Sequence, residues 1–287
     1  MKVLFININM HVKNMNALLN YKNINISNIY TTDLNSVDLN NFDVVYSPSL
    51  PVDVKNTPCT KFIFGPHFSV FPVENQIELI KSNNSIYILP SNWTVNLWEQ
   101  IPLCKELQIQ ALPFGVDTDI FHPVKNICNR DKIFIYYKRR HPQELFLLKN
   151  ILEKLNINFI IFDYISRYSE NDYLNYLKEA KFGIWLTAHE SQGFALQEAL
   201  SCDVPLLVWN VTSLNQEYRS NYPDLQATTI PYWDERCGEY FYNINEFLKT
   251  YNTFINNINN YKPREFVLEN LSINICENKL IQLINNM

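Results

Sequence analysis

The sequence predicts an α/β protein with parallel sheets, divided into two Rossmann-like lobes. Three observations carry this. Short apolar runs recur and stop at Gly or Pro, as in residues 42–47 before Pro48, 61–64 before Gly65-Pro66 and 86–89 before Pro90. Helical stretches lie between such runs, and strands alternating with helices indicate a parallel sheet. Second, residues 182–186 and 204–209 read as buried strands joined by a loop, a Gln192-Gly193 turn and a short helix, which is a parallel crossover unit. Third, 287 residues suffice for two such domains of roughly 140 residues each.

The elements follow in order. Residues 3–9 form the first strand, and residues 42–47, 61–64 and 86–89 form the next three. A short helix lies between Gln76 and Lys81, and Ser91 or Asn92 caps another over 93–100. Residues 108–112 make a fifth strand ending at Pro113. The second lobe starts near Asn126 with a strand over 133–137, followed by Lys138-Arg139-Arg140, His141-Pro142 and a helix through Leu155. A strand over 158–162 and a helix over 171–180 precede the crossover unit, and residues 263–287 show a helical pattern. The expected division is 1–125 for the first lobe, 126–262 for the second and 263–287 for a terminal helix.

Composition bounds the function. The chain is 47% hydrophobic and 18% charged, consistent with a folded protein with a sizeable core. A net charge of -5 argues against a general nucleic-acid binder. Six scattered cysteines, none in a Cys-x-x-Cys pair, argue against a zinc site or a disulfide framework and point to reduced thiols and a cytoplasmic setting. No apolar run reaches the roughly 18 residues of a membrane span, which leaves only peripheral membrane contact open. The start of the chain reads as a strand and not as a signal peptide. Glycine is scarce, with five in the chain, so each is expected to mark a demand of the backbone.

The chemistry concentrates at His189-Glu190-Ser191-Gln192-Gly193-Phe194-Ala195-Leu196-Gln197-Glu198. This segment follows a strand at its carboxyl end, where open α/β sheets bind ligands. A helix starting at Gly193 presents the backbone N–H groups of Gly193, Phe194 and Ala195 to an anion. Glu190 precedes the helix and Glu198 lies within it. Carboxylates only accept hydrogen bonds, so the two suit ligand hydroxyls. Hydroxyl acceptors on both sides of an anion site describe a nucleotide sugar. A bare pair of glutamates at this spacing is ordinarily a solvated helix face; here the glycine turn, the helix start and the flanking strands accompany it.

Residues 189–205 resemble the donor motif of retaining glycosyltransferases of the GT-B fold, in family four. That motif runs Glu-Gly-Phe-Gly, a hydrophobic residue, then Glu-Ala, a small residue, Gly and Pro. Asp203 stands where the family has glycine at the helix end, a left-handed position that Asp tolerates better than most residues. The stretch from Leu89-Pro90-Ser91 through Pro113-Phe114-Gly115-Val116-Asp117 to Phe121-His122-Pro123 is similar to the family's exit from its first lobe, with Phe114 in place of Asn. The glycine-rich acceptor loop near the first strand is absent.

The resemblance implies two lobes facing a central cleft, and sugar transfer from a nucleotide diphosphate donor with retention of configuration. The acceptor, whether glycan, lipid, protein or small molecule, stays open. It implies attack assisted by the leaving diphosphate, with no metal and no cofactor beyond the donor. Glu198 would hold the ribose hydroxyls and Glu190 a sugar hydroxyl. His67, just after a strand end in the first lobe, would shape the reacting site across the cleft. The family places an Arg directly after the strand that ends here at Lys138, and a Lys-Gly pair later. Lys138 aligns with that Arg, no Lys-Gly pair follows, and Lys138, Arg139 and Arg140 are together expected to meet the diphosphate. Two alternatives are a non-catalytic nucleotide-sugar-binding subunit and, third, a sugar-nucleotide epimerase.

Asp117-Thr118-Asp119 matches an Asp-x-Asp metal pattern but reads as a turn and helix cap. His189 is expected to support the loop, His122 and His141 to sit in turns before Pro, and residues 230–238 to form a packed loop.

Overall fold

The structure is a computed structural model and describes residues 1–57 and 59–287. It contains two compact units, Met1–Gly115 with Ile273–Met287, and Val116–Ser272. The sequence expectation placed the boundaries at 125/126 and 262/263. Backbone bonding explains the difference. The Val116 N–H donates to Leu271 O, and the Phe121 carbonyl accepts from Ser201 Oγ and from Arg264 Nη1. These bonds tie 116–125 and 263–272 into the second unit.

In the first unit, β1 (Lys2–Ile6), β2 (Asn25–Ile29), β3 (Val44–Ser47), β4 (Phe62–Phe64), β5 (Ser85–Leu89) and β6 (Ile109–Ala111) pair in the order β2-β1-β3-β4-β5-β6. Every pairing is parallel. Helices α1 (Val12–Leu19), α2 (Glu74–Ile80) and α3 (Asn92–Glu99) lie between strands, and α9 (Ile273–Asn286) belongs to this unit. α1 and β2 went unread in the sequence. Ser91 caps α3 through a reciprocal bond pattern with Thr94, as its residue type suggests. Tyr87 stacks on Trp98 at 4.5 Å, fastening α3 to β5. Glu277 of α9, almost wholly buried, accepts the Asn23 backbone N–H at 2.5 Å and Asn23 Nδ2 at 3.1 Å.

In the second unit, β7 (Lys132–Lys138), β8 (Ile160–Asp163), β9 (Ala180–Thr187), β10 (Leu206–Trp209) and β11 (Gly238–Phe241) pair in the order β11-β10-β9-β7-β8. All four pairings are parallel. The helices are α4 (Pro142–Lys154), α5 (Glu170–Leu177), α6 (Phe194–Ser201), α7 (Phe247–Asn256) and α8 (Pro263–Asn270). The expected helix over 171–180 ends at Leu177, and Ala180 already opens β9. Alternate side chains of β7 enter two cores. Phe134 and Tyr136 pack with Trp185, Tyr173 of α5 and Leu196 of α6, while Ile135 and Tyr137 pack with Leu148 of α4 and Phe254 of α7. A strand buried on both faces reads as a continuous apolar run, which is why β7 was visible in the sequence.

Candidate functional site

The order of the second sheet fixes where a ligand can enter. The chain passes from β7 outward to β8, then returns to the other side of β7 to form β9. Neighbouring connections therefore leave in opposite directions at the carboxyl ends of β7 and β9, and such a switch point opens a crevice. Lys138 and Thr187 face each other there as the last paired residues of the two strands.

Lys138 Nζ lies 2.9 Å from both Glu190 carboxylate oxygens and 4.8 Å from the centre of the Tyr164 ring. The Glu190 N–H donates to Thr228 O at 3.0 Å. Thr229 Oγ1 donates to the Thr187 and Ala188 carbonyls, and Asn210 Oδ1 accepts from Thr228 Oγ1 and from the Thr229 N–H. A loop after β10 thus fastens the loop after β9. Sequence reasoning missed Asn210, Thr228 and Thr229; the adjacent threonines before Ile230-Pro231 were the available signal.

Gly193 precedes α6 at φ 76, ψ 46 and, as a glycine, offers that helix no capping side chain of its own. A Cβ on Gly193 would approach nothing closer than Glu190 Cβ at 3.6 Å. The glycine is therefore required by backbone conformation and not by crowding. Two buried amides hold the turn: Gln197 Nε2 donates to Gln192 O at 2.6 Å, and Gln192 Nε2 donates to Gln197 Oε1 at 3.0 Å. Phe194 and Ala195 begin the helix half-buried, and Glu198 is 4% exposed. At the helix end Asp203 adopts φ 57, the left-handed conformation expected of it, and its Oδ1 accepts the Arg264 N–H at 3.3 Å.

The carboxylates reach the aromatic core beneath. Tyr136 stacks on Trp185 at 4.2 Å and hydrogen-bonds to Tyr168. Burial foremost, then Tyr168, then Glu190 and Glu198 push the Tyr136 hydroxyl well above the usual range.

The structure separates the three basic residues, and each has a carboxylate partner. Arg139 adopts φ 54, and its half-exposed side chain donates to Glu217 Oε1 at 2.9 Å. Arg140 is 1% exposed. It donates to both Glu144 oxygens and to the Thr187 and Trp209 carbonyls, lying over the Trp209 ring. Arg140 thus joins the carboxyl ends of β9 and β10 to α4, instead of standing beside Lys138 as an exposed cation. Glu217, also missed, takes Arg139 on one oxygen and lies 3.6 Å from His189 Nε2 on the other. His189 packs edge-on against Tyr222, and burial, then Lys138 and Arg139, lower its pKa to about 4.

His67 lies in the first unit, after β4. Its Nε2 is 3.0 Å from Nδ2 of the buried Asn14, and its backbone N–H donates to Pro48 O. Burial, then His11, lower its pKa to about 4, so the ring is neutral at pH 7. The first sheet has its own switch point between β1 and β3, and His11, Asn14 and His67 belong to segments that follow strands β1 and β4.

Asp117 Oδ1 accepts the N–H groups of Asp119 and Ile120, closing a turn. His141 caps α4 and His122 bonds to Asp119 O. Ile230, Tyr232 and Trp233 pack on the second unit's core, and Asp234 pairs with Arg236. Among the described residues, no helix is long and apolar enough to cross a membrane.

No family model matches the sequence, and no curated protein matches it. Solved structures do. AviGT4, a glycosyltransferase involved in avilamycin A biosynthesis, aligns over 99% of this chain and 97% of its own at 10% identity, with a TM-score of 0.56. Sucrose-phosphate synthase from Thermosynechococcus elongatus aligns over 86% of this chain and 74% of its own at 12% identity, TM-score 0.54. TarM aligns over 82% of this chain and 51% of its own at 14% identity, TM-score 0.52. The fold shared with these glycosyltransferases is GT-B, two Rossmann-like lobes each built on a parallel sheet.

Proposed function

We propose that this chain is a glycosyltransferase that moves a sugar from a nucleotide diphosphate donor to an acceptor with retention of configuration. One observation carries the proposal: Glu190, in the segment that leads into the helix holding Glu198, meets Lys138 at the switch point of the second sheet. Switch points bind ligands, helix amino ends bind phosphates, and carboxylates bind hydroxyls.

In this scheme Glu198 accepts from the ribose hydroxyls and Glu190 from a sugar hydroxyl. The backbone of Gly193, Phe194 and Ala195 receives the diphosphate, with Arg139 supplying positive charge as the nucleotide leaves, while Lys138, held by Glu190, faces the sugar. Arg140 holds the strand ends in place. His67, neutral and held by Asn14 in the first unit, keeps the role the resemblance gives it, shaping the reacting site. Transfer is expected to need no metal and to survive EDTA.

Calorimetric titration with nucleoside diphosphates and their sugars tests the proposal. A hydrogen bond to a charged group is worth about 1.5–3 kcal/mol, so Glu198→Ala should weaken binding roughly ten- to a hundredfold, with Glu198→Gln losing less. Wild-type affinity in the alanine variant would remove Glu198 from the site. Turnover with an acceptor distinguishes transfer from binding alone, and an inverted anomeric product would overturn retention.

A further inference from the structure

We propose that the paired side chains of Lys138 and Glu190 select a neutral donor sugar bearing a free hydroxyl at the position they face, and discriminate against both amino sugars and uronic acids. This rests on the assignment of the second unit's switch point to a nucleotide-sugar donor.

The pair is built to stay together. Both carboxylate oxygens of Glu190 lie 2.9 Å from the Lys138 ammonium. The side chains are 22% and 11% exposed, so water screens them only partly. Each is anchored by its backbone: Lys138 through its register with Thr187, Glu190 through its N–H on Thr228 O. The Tyr164 ring lies against the ammonium and limits where it can turn.

Such a pair presents a donor and an acceptor side by side, with no net charge. A hydroxyl can both donate and accept. It can bridge the pair, donating to Glu190 while accepting from Lys138, and both charges keep a partner. The ammonium of an amino sugar only donates. It satisfies Glu190 but places a like charge beside Lys138. A carboxylate only accepts, so a uronic acid satisfies Lys138 and is repelled by Glu190. Repulsion between like charges is strongest where water is excluded. Specificity then arises from rejection of the charged sugars as much as from attraction of the neutral one.

The test is calorimetric. The nucleoside diphosphate that binds the full chain most tightly is chosen first. Its neutral hexose, amino-hexose and hexuronate esters are then titrated against the parent, Lys138→Met and Glu190→Gln. Each affinity is divided by that variant's affinity for the bare nucleotide. In the parent, the hexose should bind at least about tenfold more tightly than either charged sugar. Lys138→Met should relieve the penalty on the amino sugar alone, and Glu190→Gln the penalty on the uronate alone. Equal binding of all three esters by the parent overturns the inference, even if neither variant folds. Relief of both penalties by either variant overturns it too. Failure of every nucleotide to bind the parent overturns the donor-site assignment itself, which separates the two failures.

Discussion

Replacing Arg140 should damage the fold far more than replacing its neighbour Arg139, although the two are adjacent and carry the same charge. The Arg140 guanidinium is 1% exposed and serves four acceptor oxygens: two on Glu144 and the carbonyls of Thr187 and Trp209. Arg140→Met keeps much of the volume and removes every donor. Breaking a buried ion pair on one side costs about 3–5 kcal/mol. The Glu144 side chain is 26% exposed and recovers some hydration, and Thr187 O keeps Thr229 Oγ1 as a donor. That lowers the expected cost to roughly 2–4 kcal/mol. Arg139 is 49% exposed but Glu217 only 9%, so Arg139→Met leaves a largely buried carboxylate without this cation and should cost about 1–1.5 kcal/mol. Urea denaturation followed by tryptophan fluorescence measures both, because Trp209 lies directly beneath Arg140. Melting temperature should fall by roughly 5–15 °C in the first variant and by about 5 °C or less in the second. A loss below about 1 kcal/mol in Arg140→Met, or equal losses in the two variants, would refute the framework role.

Gly193→Ala forces a side chain into a left-handed position without a clash and should cost about 1–2 kcal/mol, while Gly193→Asn costs less; equal denaturation midpoints for the two would contradict this. Asp203→Ala should lose about 1–2 kcal/mol, whereas Asp203→Gly exchanges the Arg264 bond for relief of φ 57 and should stay within roughly 1 kcal/mol of the parent in the same denaturation assay. His189, whose pKa is lowered to about 4, is neutral when folded, while the unfolded chain takes up its proton near pH 6.5. Its contribution to stability is complete above that pH and is lost as pH falls toward 4. His189→Gln should therefore show a shallower fall of melting temperature between pH 6.5 and 4, and an unchanged slope would count against the burial described. Donor turnover that stops in EDTA and returns with magnesium or manganese would end the metal-independent scheme.

The visible parts of the fold were those where local chemistry and tertiary demand agree. β7 and β9 are buried on both faces and appear as apolar runs, while Ser91 marks the helix start it caps; His141, expected in a turn, caps α4 instead. β2 was hidden because it is an edge strand of sequence Asn-Ile-Ser-Asn-Ile, mostly exposed and without a regular period. α1 was hidden because Asn14 stands on its buried face with Ala17 and Leu18, beside His67, for a polar reason that no pattern announces. The tail kept a helical rhythm from 263 to 286, but Ser272 bridges Val116 and breaks it into α8 and α9. Glu190, Gly193 and Glu198 stood out because the glycine turn, helix and strands surround them. The pairing of Lys138 with Glu190, and the withdrawal of Arg140 into the core, depend on strand order, which neither residue type nor spacing encodes.

The turn that opens α6 is held by two uncharged amides, Gln192 and Gln197, whereas the groups beside it are ion pairs: Lys138 with Glu190 and Arg139 with Glu217. Added salt acts on these two kinds of contact differently. Neutral amide bonds inside the protein barely sense dissolved ions, while charges near water lose much of their attraction as the screening length shrinks from about 10 Å at 0.1 M to about 3 Å at 1 M. Ionic strength should therefore act more on the half-exposed Arg139 than on the partly buried Lys138 and Glu190, and leave the amino end of the helix in its shape. In brine the chain would keep the shape of this turn while the half-exposed Arg139 pair beside it slackens.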